Sequence, residues 1–119
     1  MDDKCTVYRT VDMVSKKWTM VILLELYRGG GGPKRYNEIK RSLGEITPKV
    51  LSTRLKDLEK NELITKRIDA SGFPVKTEYE LTPMGFEFFK VIQDIKEWAL
   101  KWKVDNEVCE RLDCRECTL

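Results

Sequence analysis

Residues 46–85 read ITPKVLSTRLKDLEKNELITKRIDASGFPVKTEYELTPMG, and the order of signals in this run decides the fold. Thr47 is a good N-cap and Pro48 stands at the first helical position, where its missing N–H and fixed φ cost nothing. Leu51, Leu55 and Leu58 recur at steps of four and three, the apolar stripe of a helix that Asn61 terminates. At about 100° per residue, Lys49, Thr53, Lys56 and Lys60 fall opposite that stripe, with Ser52 and Arg54 on its flanks. Such a helix is about 21 Å long at roughly 1.5 Å per residue, and a B-DNA major groove about 12 Å wide accepts one. For an isolated helix, a Lys-rich face is more often simply a solvated one.

The next element changes the balance. After Leu63 come two extended runs, ITKRID and VKTEYEL, the second alternating Val75, Thr77, Tyr79 and Leu81 inward against Lys76, Glu78 and Glu80 outward. Ala70-Ser71-Gly72-Phe73-Pro74 separates them, so the pair is expected to be a two-stranded hairpin with an exposed tip. Lys66, Arg67 and Lys76 then lie on or beside a wing, placed for phosphates that flank the groove.

Thr82-Pro83 repeats the helix start of Thr47-Pro48, and Met84, Phe88, Val91, Ile95, Trp98 and Trp102 follow at steps of four and three. Phe86, Phe89, Ile92 and Ala99 widen this stripe beyond what one terminal helix can bury against a small domain. Phe88, Val91, Ile95, Trp98 and Trp102 are therefore expected to meet a second copy of the chain. Two-fold symmetry would set two recognition helices about 34 Å apart, on a pseudo-palindromic operator.

Upstream, residues 6–14 and 18–28 read as helices, with Trp18 as a core or dimer anchor, and Tyr36–Leu43 as the helix preceding the recognition helix. Lys34, Arg35 and Lys40 would stand near backbone phosphates. The run Gly29–Gly32 ends in Pro33 instead of opening a helix, so it reads as a turn and not a phosphate cradle.

These blocks together resemble the HxlR-type, MarR-like family of small bacterial and archaeal transcription regulators. The resemblance rests on Lys17-Trp18-Thr19, Arg35-Tyr36-Asn37-Glu38-Ile39, Ile46-Thr47-Pro48-Lys49-Val50-Leu51-Ser52 with Arg54-Leu55, and Glu78-Tyr79-Glu80-Leu81-Thr82 with Gly85. It covers residues 5–102 and implies a mainly α winged helix-turn-helix with a small β-hairpin wing and flanking N- and C-terminal dimerisation helices. Cys5 matches the family's N-terminal cysteine, which in some members senses oxidants or electrophiles. The chain departs from the pattern at Ser15-Lys16 and at Glu62, where glycines are common; loops tolerate both changes if φ is negative there.

A chain of 119 residues with 41% hydrophobic content supports one core. We divide it into a winged-helix domain, residues 1–106, and a Cys-rich tail, residues 107–119. No apolar run approaches the roughly 18 residues of a membrane span and no signal peptide is evident, so a cytoplasmic protein is expected. The net charge of +2 conceals a polarity: residues 34–67 carry ten Lys or Arg against five Asp or Glu, whereas residues 78–119 carry six against ten. Histidine is absent, which removes the commonest general base and metal ligand, and no nucleotide-binding glycine motif is present. An enzyme is not expected.

Cys5 stands alone, while Cys109, Cys114 and Cys117 form C-x4-C-x2-C. Redox-active thiols, a zinc or iron–sulfur centre, structural disulfides and inert thiols all remain open; no cofactor is otherwise expected. The leading function is a homodimeric, sequence-specific regulator of double-stranded DNA, possible contacts being Lys34, Arg35, Thr47, Pro48, Lys49, Ser52, Thr53, Arg54, Lys56, Lys60, Arg67 and Lys76. The alternative is a winged helix serving as a protein-interaction module in a transcription or repair assembly. A thiol oxidoreductase built on Cys114-Arg115-Glu116-Cys117 lacks the usual α/β surroundings.

Overall fold

The computed structural model describes residues 1–119. Helix α1 (Thr6–Val14) turns Met13 and Val14 inward and leaves Val7, Tyr8 and Val11 exposed. Helix α2 (Thr19–Tyr27) is the centre of the molecule, with Thr19, Ile22, Leu23, Leu26 and Tyr27 all buried. A 3₁₀ turn (Arg28–Gly30) follows, and Gly29, Gly30 and Gly31 all adopt positive φ. The glycine run is thus a turn, as expected, and the Phe86 ring occupies the space a Cβ on Gly31 would need.

Strand β1 (Lys34–Arg35) leads into α3 (Tyr36–Leu43), α4 (Pro48–Lys60), β2 (Ile64–Asp69) and β3 (Lys76–Leu81). The wing therefore has three strands, not two: β1 adds to the hairpin in the order β1-β3-β2, antiparallel throughout. A two-residue strand carries no periodicity of its own, so its pairing of Lys34 with Tyr79 and Arg35 with Glu78 was not visible in sequence. Tyr79 and Leu81 are buried as expected, but Val75 lies outside the strand in the exposed tip.

Helix α5 (Pro83–Trp102) packs on α2 through Phe89, whose ring stacks on Tyr27 at 3.6 Å, while Phe86 meets the same ring edge-on. Gly85 is required here, because a Cβ would collide with the Leu63 carbonyl. Residues 103–119 contain a short helix α6 (Glu107–Arg111) and fold back against α2 and α5.

Glu62 does not meet the condition of negative φ: its φ is +64°, the left-handed conformation that favours glycine. The turn from α4 into β2 holds it, with the Glu62 carbonyl accepting the Thr82 hydroxyl at 2.7 Å. Ser15 meets it at φ −84°, while Trp18 has φ +82°.

Candidate nucleic-acid interface

The Thr47 side chain accepts the Val50 N–H at 3.2 Å and Pro48 occupies the first turn, so α4 starts where its sequence places it. Leu51, Leu55 and Leu58 are fully buried, which fixes the rotation of the helix. Lys49, Thr53, Lys56 and Lys60 consequently face outward, with Thr47 and Pro48 exposed at the same end. The Thr53 hydroxyl donates to the Lys49 carbonyl at 2.9 Å, leaving its oxygen free to accept.

Tyr36 joins α3 to α4. Its hydroxyl donates to the Pro48 carbonyl at 3.1 Å, and the Ser52 hydroxyl lies 3.3 Å from it on the side left for a donor. Ser52, Lys56 and Lys66 line one small cleft between α4 and the wing. Arg35 and Lys76, 41 residues apart in sequence, are brought to a second cleft of about 350 Å³ between the start of α3 and the wing. Asn37, which sequence reasoning did not single out, lines the same cleft; its only signal was its place in the first turn of α3, beside Arg35.

Two sequence candidates are used otherwise, and a third has a partner across the wing. Lys34 is turned into the protein, where its ammonium binds the Glu25 carbonyl and pairs with the Glu25 carboxylate at 3.1 Å. Arg54 donates to the Lys17 carbonyl at 3.0 Å and approaches Asp57 at 3.6 Å, tying α4 to the segment before α2. Arg67 remains two-thirds exposed but lies 3.4 Å from Glu78 across the strands. Glu25, the Lys17 carbonyl and Glu78 lie on other elements, outside the local pattern that carries Lys34, Arg54 and Arg67.

At the wing tip, Ser71 donates both its N–H (3.0 Å) and its hydroxyl (2.6 Å) to Asp69. Those bonds, from side chain first and backbone second, hold the Asp69 carboxyl below its usual value. Phe73 beside it is entirely exposed.

On α5, Val91, Ile95, Trp98 and Trp102 are exposed together. Phe88 is not among them: it is half-buried against the core, on the turns of α5 whose Phe86 and Phe89 pack on Tyr27 of α2. All four cysteines are free and half-buried. Cys5 immediately precedes α1, whereas Cys109, Cys114 and Cys117 line a common cavity. No three His, Cys, Asp or Glu side chains converge as metal ligands would. No helix is long and apolar enough to cross a membrane.

Residues 13–107 match the family model described as HxlR-like helix-turn-helix. The HTH-type transcriptional regulator YvaP of Bacillus subtilis (strain 168) is 36% identical over 94 residues, 79% of this chain and 83% of YvaP. The HTH-type transcriptional regulator YodB of the same organism is 34% identical over 99 residues, 82% of this chain and 85% of YodB. The reduced form of YodB superposes with a TM-score of 0.73 at 31% identity, covering 90% of this chain and 99% of that one. The redox regulator HypR in its oxidised form gives a TM-score of 0.73 at 28% identity, covering 84% of this chain and 99% of HypR. Buried leucines that orient α4, a basic wing beside it and a match running through both place this chain in the HxlR-like helix-turn-helix family of transcriptional regulators.

Proposed function

We propose that this protein is a homodimeric, sequence-specific DNA-binding regulator whose grip depends on the state of its thiols. The observation that carries the reading is the outer face of α4, where Lys49, Thr53, Lys56 and Lys60 stand free of intramolecular ion pairs beside a wing bearing Lys66 and Lys76. Lys49, Ser52, Thr53 and Lys56 would read the groove, while Arg35, Lys60, Arg67 and Lys76 would hold phosphates. A protein-docking face would be more apolar than this one, which disfavours an interaction module. Nothing on this face supplies a general base beside a nucleophile, so we assign it no catalysis.

The exposed stripe of Val91, Ile95, Trp98 and Trp102 supports pairing with a second copy. Thiol control is supported by the half-buried Cys5 at the start of α1, next to the exposed Val7, Tyr8 and Val11. Two relatives have been solved in more than one form, YodB as reduced, diamide-treated and quinone-bound, and the redox regulator HypR as reduced and oxidised.

Selection of bound sites from a random duplex pool, with reduced and with oxidised protein, tests the whole reading. We expect a two-fold symmetric consensus from reduced protein, and weakened binding after oxidation that Cys5→Ser restores. Binding that is insensitive to salt and to sequence would refute it.

A further inference from the structure

The wing ends in an apolar point set on a basic frame. Phe73 is 99% exposed, the most open of the exposed large hydrophobic side chains, and Ile68 and Val75 on either side of the tip are 62% and 54% exposed. A scattered surface hydrophobe needs no explanation, but three gathered at the end of one hairpin form a patch that the chain itself leaves uncovered. The tip is also stiffened. Ser71 donates its N–H and its hydroxyl to the Asp69 carboxylate, and Pro74 has a fixed φ, so Phe73 stands between two restrained neighbours. A side chain presented in this way loses little freedom when a partner takes it up.

The surroundings of the tip indicate its partner. Pro74 and Val75, which follow Phe73, line the cleft of about 350 Å³ that also holds Arg35, Asn37 and Lys76. Farther down the wing, Lys66 lines the cleft beside Ser52 and Lys56 of α4. Lys66 pairs with Tyr79 and Asp69 with Lys76, so the ladder runs three residues, about 10 Å at roughly 3.3 Å per residue, from the level of α4 to the tip. Asp69, the one acidic residue of the segment 69–76, stands opposite Lys76 in that register. An anionic polymer lying along α4 would thus meet cations first and the apolar point beyond them. Duplex DNA has that order, a groove, a phosphate backbone and then the next groove, whose stacked bases can be parted by an apolar side chain. A membrane would meet the tip alone, and gives no reason for the point to sit on the flank of α4.

We propose that Phe73 is a wedge: with α4 in the major groove and a phosphate held between Arg35 and Lys76, its ring enters the adjacent minor groove and partly unstacks one base step. This role rests on the DNA-binding function proposed above and adds to it a way of reading sequence that the major-groove contacts do not contain. Pyrimidine–purine steps such as TA and CA unstack most easily, so a wedge selects them through the cost of deformation, without a hydrogen bond to any base. Insertion of this kind kinks a duplex toward the major groove by roughly 20–90°. A two-fold pair of chains carries two wedges. Its operator should hold one flexible step for each, at symmetric positions away from the base pairs that α4 contacts.

Selection from a random duplex pool with the full reduced chain supplies the probe, a duplex carrying the consensus obtained. Phe73→Ala should keep the motif read by α4 but lose the preference for a pyrimidine–purine step. It should bind the wild-type consensus about tenfold more weakly, as expected for one lost base–aromatic stack. It should also bend that duplex less, measured by energy transfer between dyes at the two ends. Phe73→Leu, which keeps an apolar wedge, should recover most of the bend. In both variants the salt slope should stay that of the wild type, because no charge is removed. The melting temperature should not move either, because Phe73 lies outside the core. Unchanged affinity, consensus and bend in Phe73→Ala would overturn the wedge and leave the DNA function standing, whereas wild-type protein that selects no sequence would overturn both. Cosedimentation with phosphatidylglycerol vesicles that Phe73→Ala abolishes, with DNA bending unchanged by the same substitution, would overturn the wedge in favour of a membrane contact.

Discussion

Lys34 and Lys76 look alike in the sequence, yet the structure gives them different surroundings. Lys34 neutralises a Glu25 carboxylate that is only 12% exposed, whereas Lys76 is exposed beside Arg35. Lys34→Met should therefore cost about 1–3 kcal/mol of stability, read by thermal unfolding, because it strands a mostly buried carboxylate. It should leave the salt dependence of DNA binding unchanged. Lys76→Ala should do the reverse, leaving stability within about 0.5 kcal/mol and lowering the salt slope by about one. Equal slopes for both variants would remove Lys76 from the proposed phosphate contacts. Glu62 offers a second residue-scale test: at φ +64° a non-glycine residue costs roughly 1–2 kcal/mol, offset in part by glycine's greater freedom in the unfolded chain. Glu62→Gly should raise the melting temperature by a few degrees, and a lower value would mean the turn relaxes in solution.

Among the elements, those with an internal period were legible and those defined by a distant partner were not. Leu51, Leu55 and Leu58 set the rotation of α4 from sequence alone, and Thr47-Pro48 and Thr82-Pro83 marked two helix starts that the structure retains. The two long wing strands followed from turn residues and alternation. In contrast, β1 exists only because β3 is there to pair with it, and the C-terminal segment, residues 103–119, takes its position from Arg28, Lys96 and Arg115, whose partners lie 16 to 91 residues away. Of the candidate contacts, outward position was readable on α4, but the inward engagement of Lys34 and Arg54 was not, because Glu25 and the Lys17 carbonyl reach them from other elements. The wing tip has a pH signature of its own. Asp69 is held below the usual aspartate range by Ser71, so its contribution is present above that range and is lost as pH falls through the lowered value. A carbon-detected NMR titration should show the Asp69 midpoint rising toward that of an ordinary aspartate in Ser71→Ala; an unchanged midpoint would deny the turn at the tip.

For the whole molecule, shape and charge point the same way. Its radius of gyration is 15.4 Å, against about 13.5 Å for a compact domain of this length, and only 18 of 119 residues are buried. Helix α5 runs for 20 residues with Trp98 and Trp102 more than half exposed. A lone chain would leave that stripe in water, at a cost of roughly 25 cal/mol for each Å² of apolar surface that a partner could cover. Residues 83–102 of α5 carry no part of the basic surface on α4 and the wing, so a pair joined along α5 would present two basic faces together. Trp98→Glu combined with Trp102→Glu puts like charges on both sides of such a joint while leaving the buried residues untouched. In sedimentation equilibrium the variant should be monomeric at micromolar concentration, with unfolding cooperativity retained. Its affinity for a full operator should fall by about 10²–10⁴, the loss expected when two linked contacts become independent, while affinity for a single half-site stays within twofold. A variant that remains dimeric, or that loses half-site binding in parallel, would move the pairing surface off this stripe.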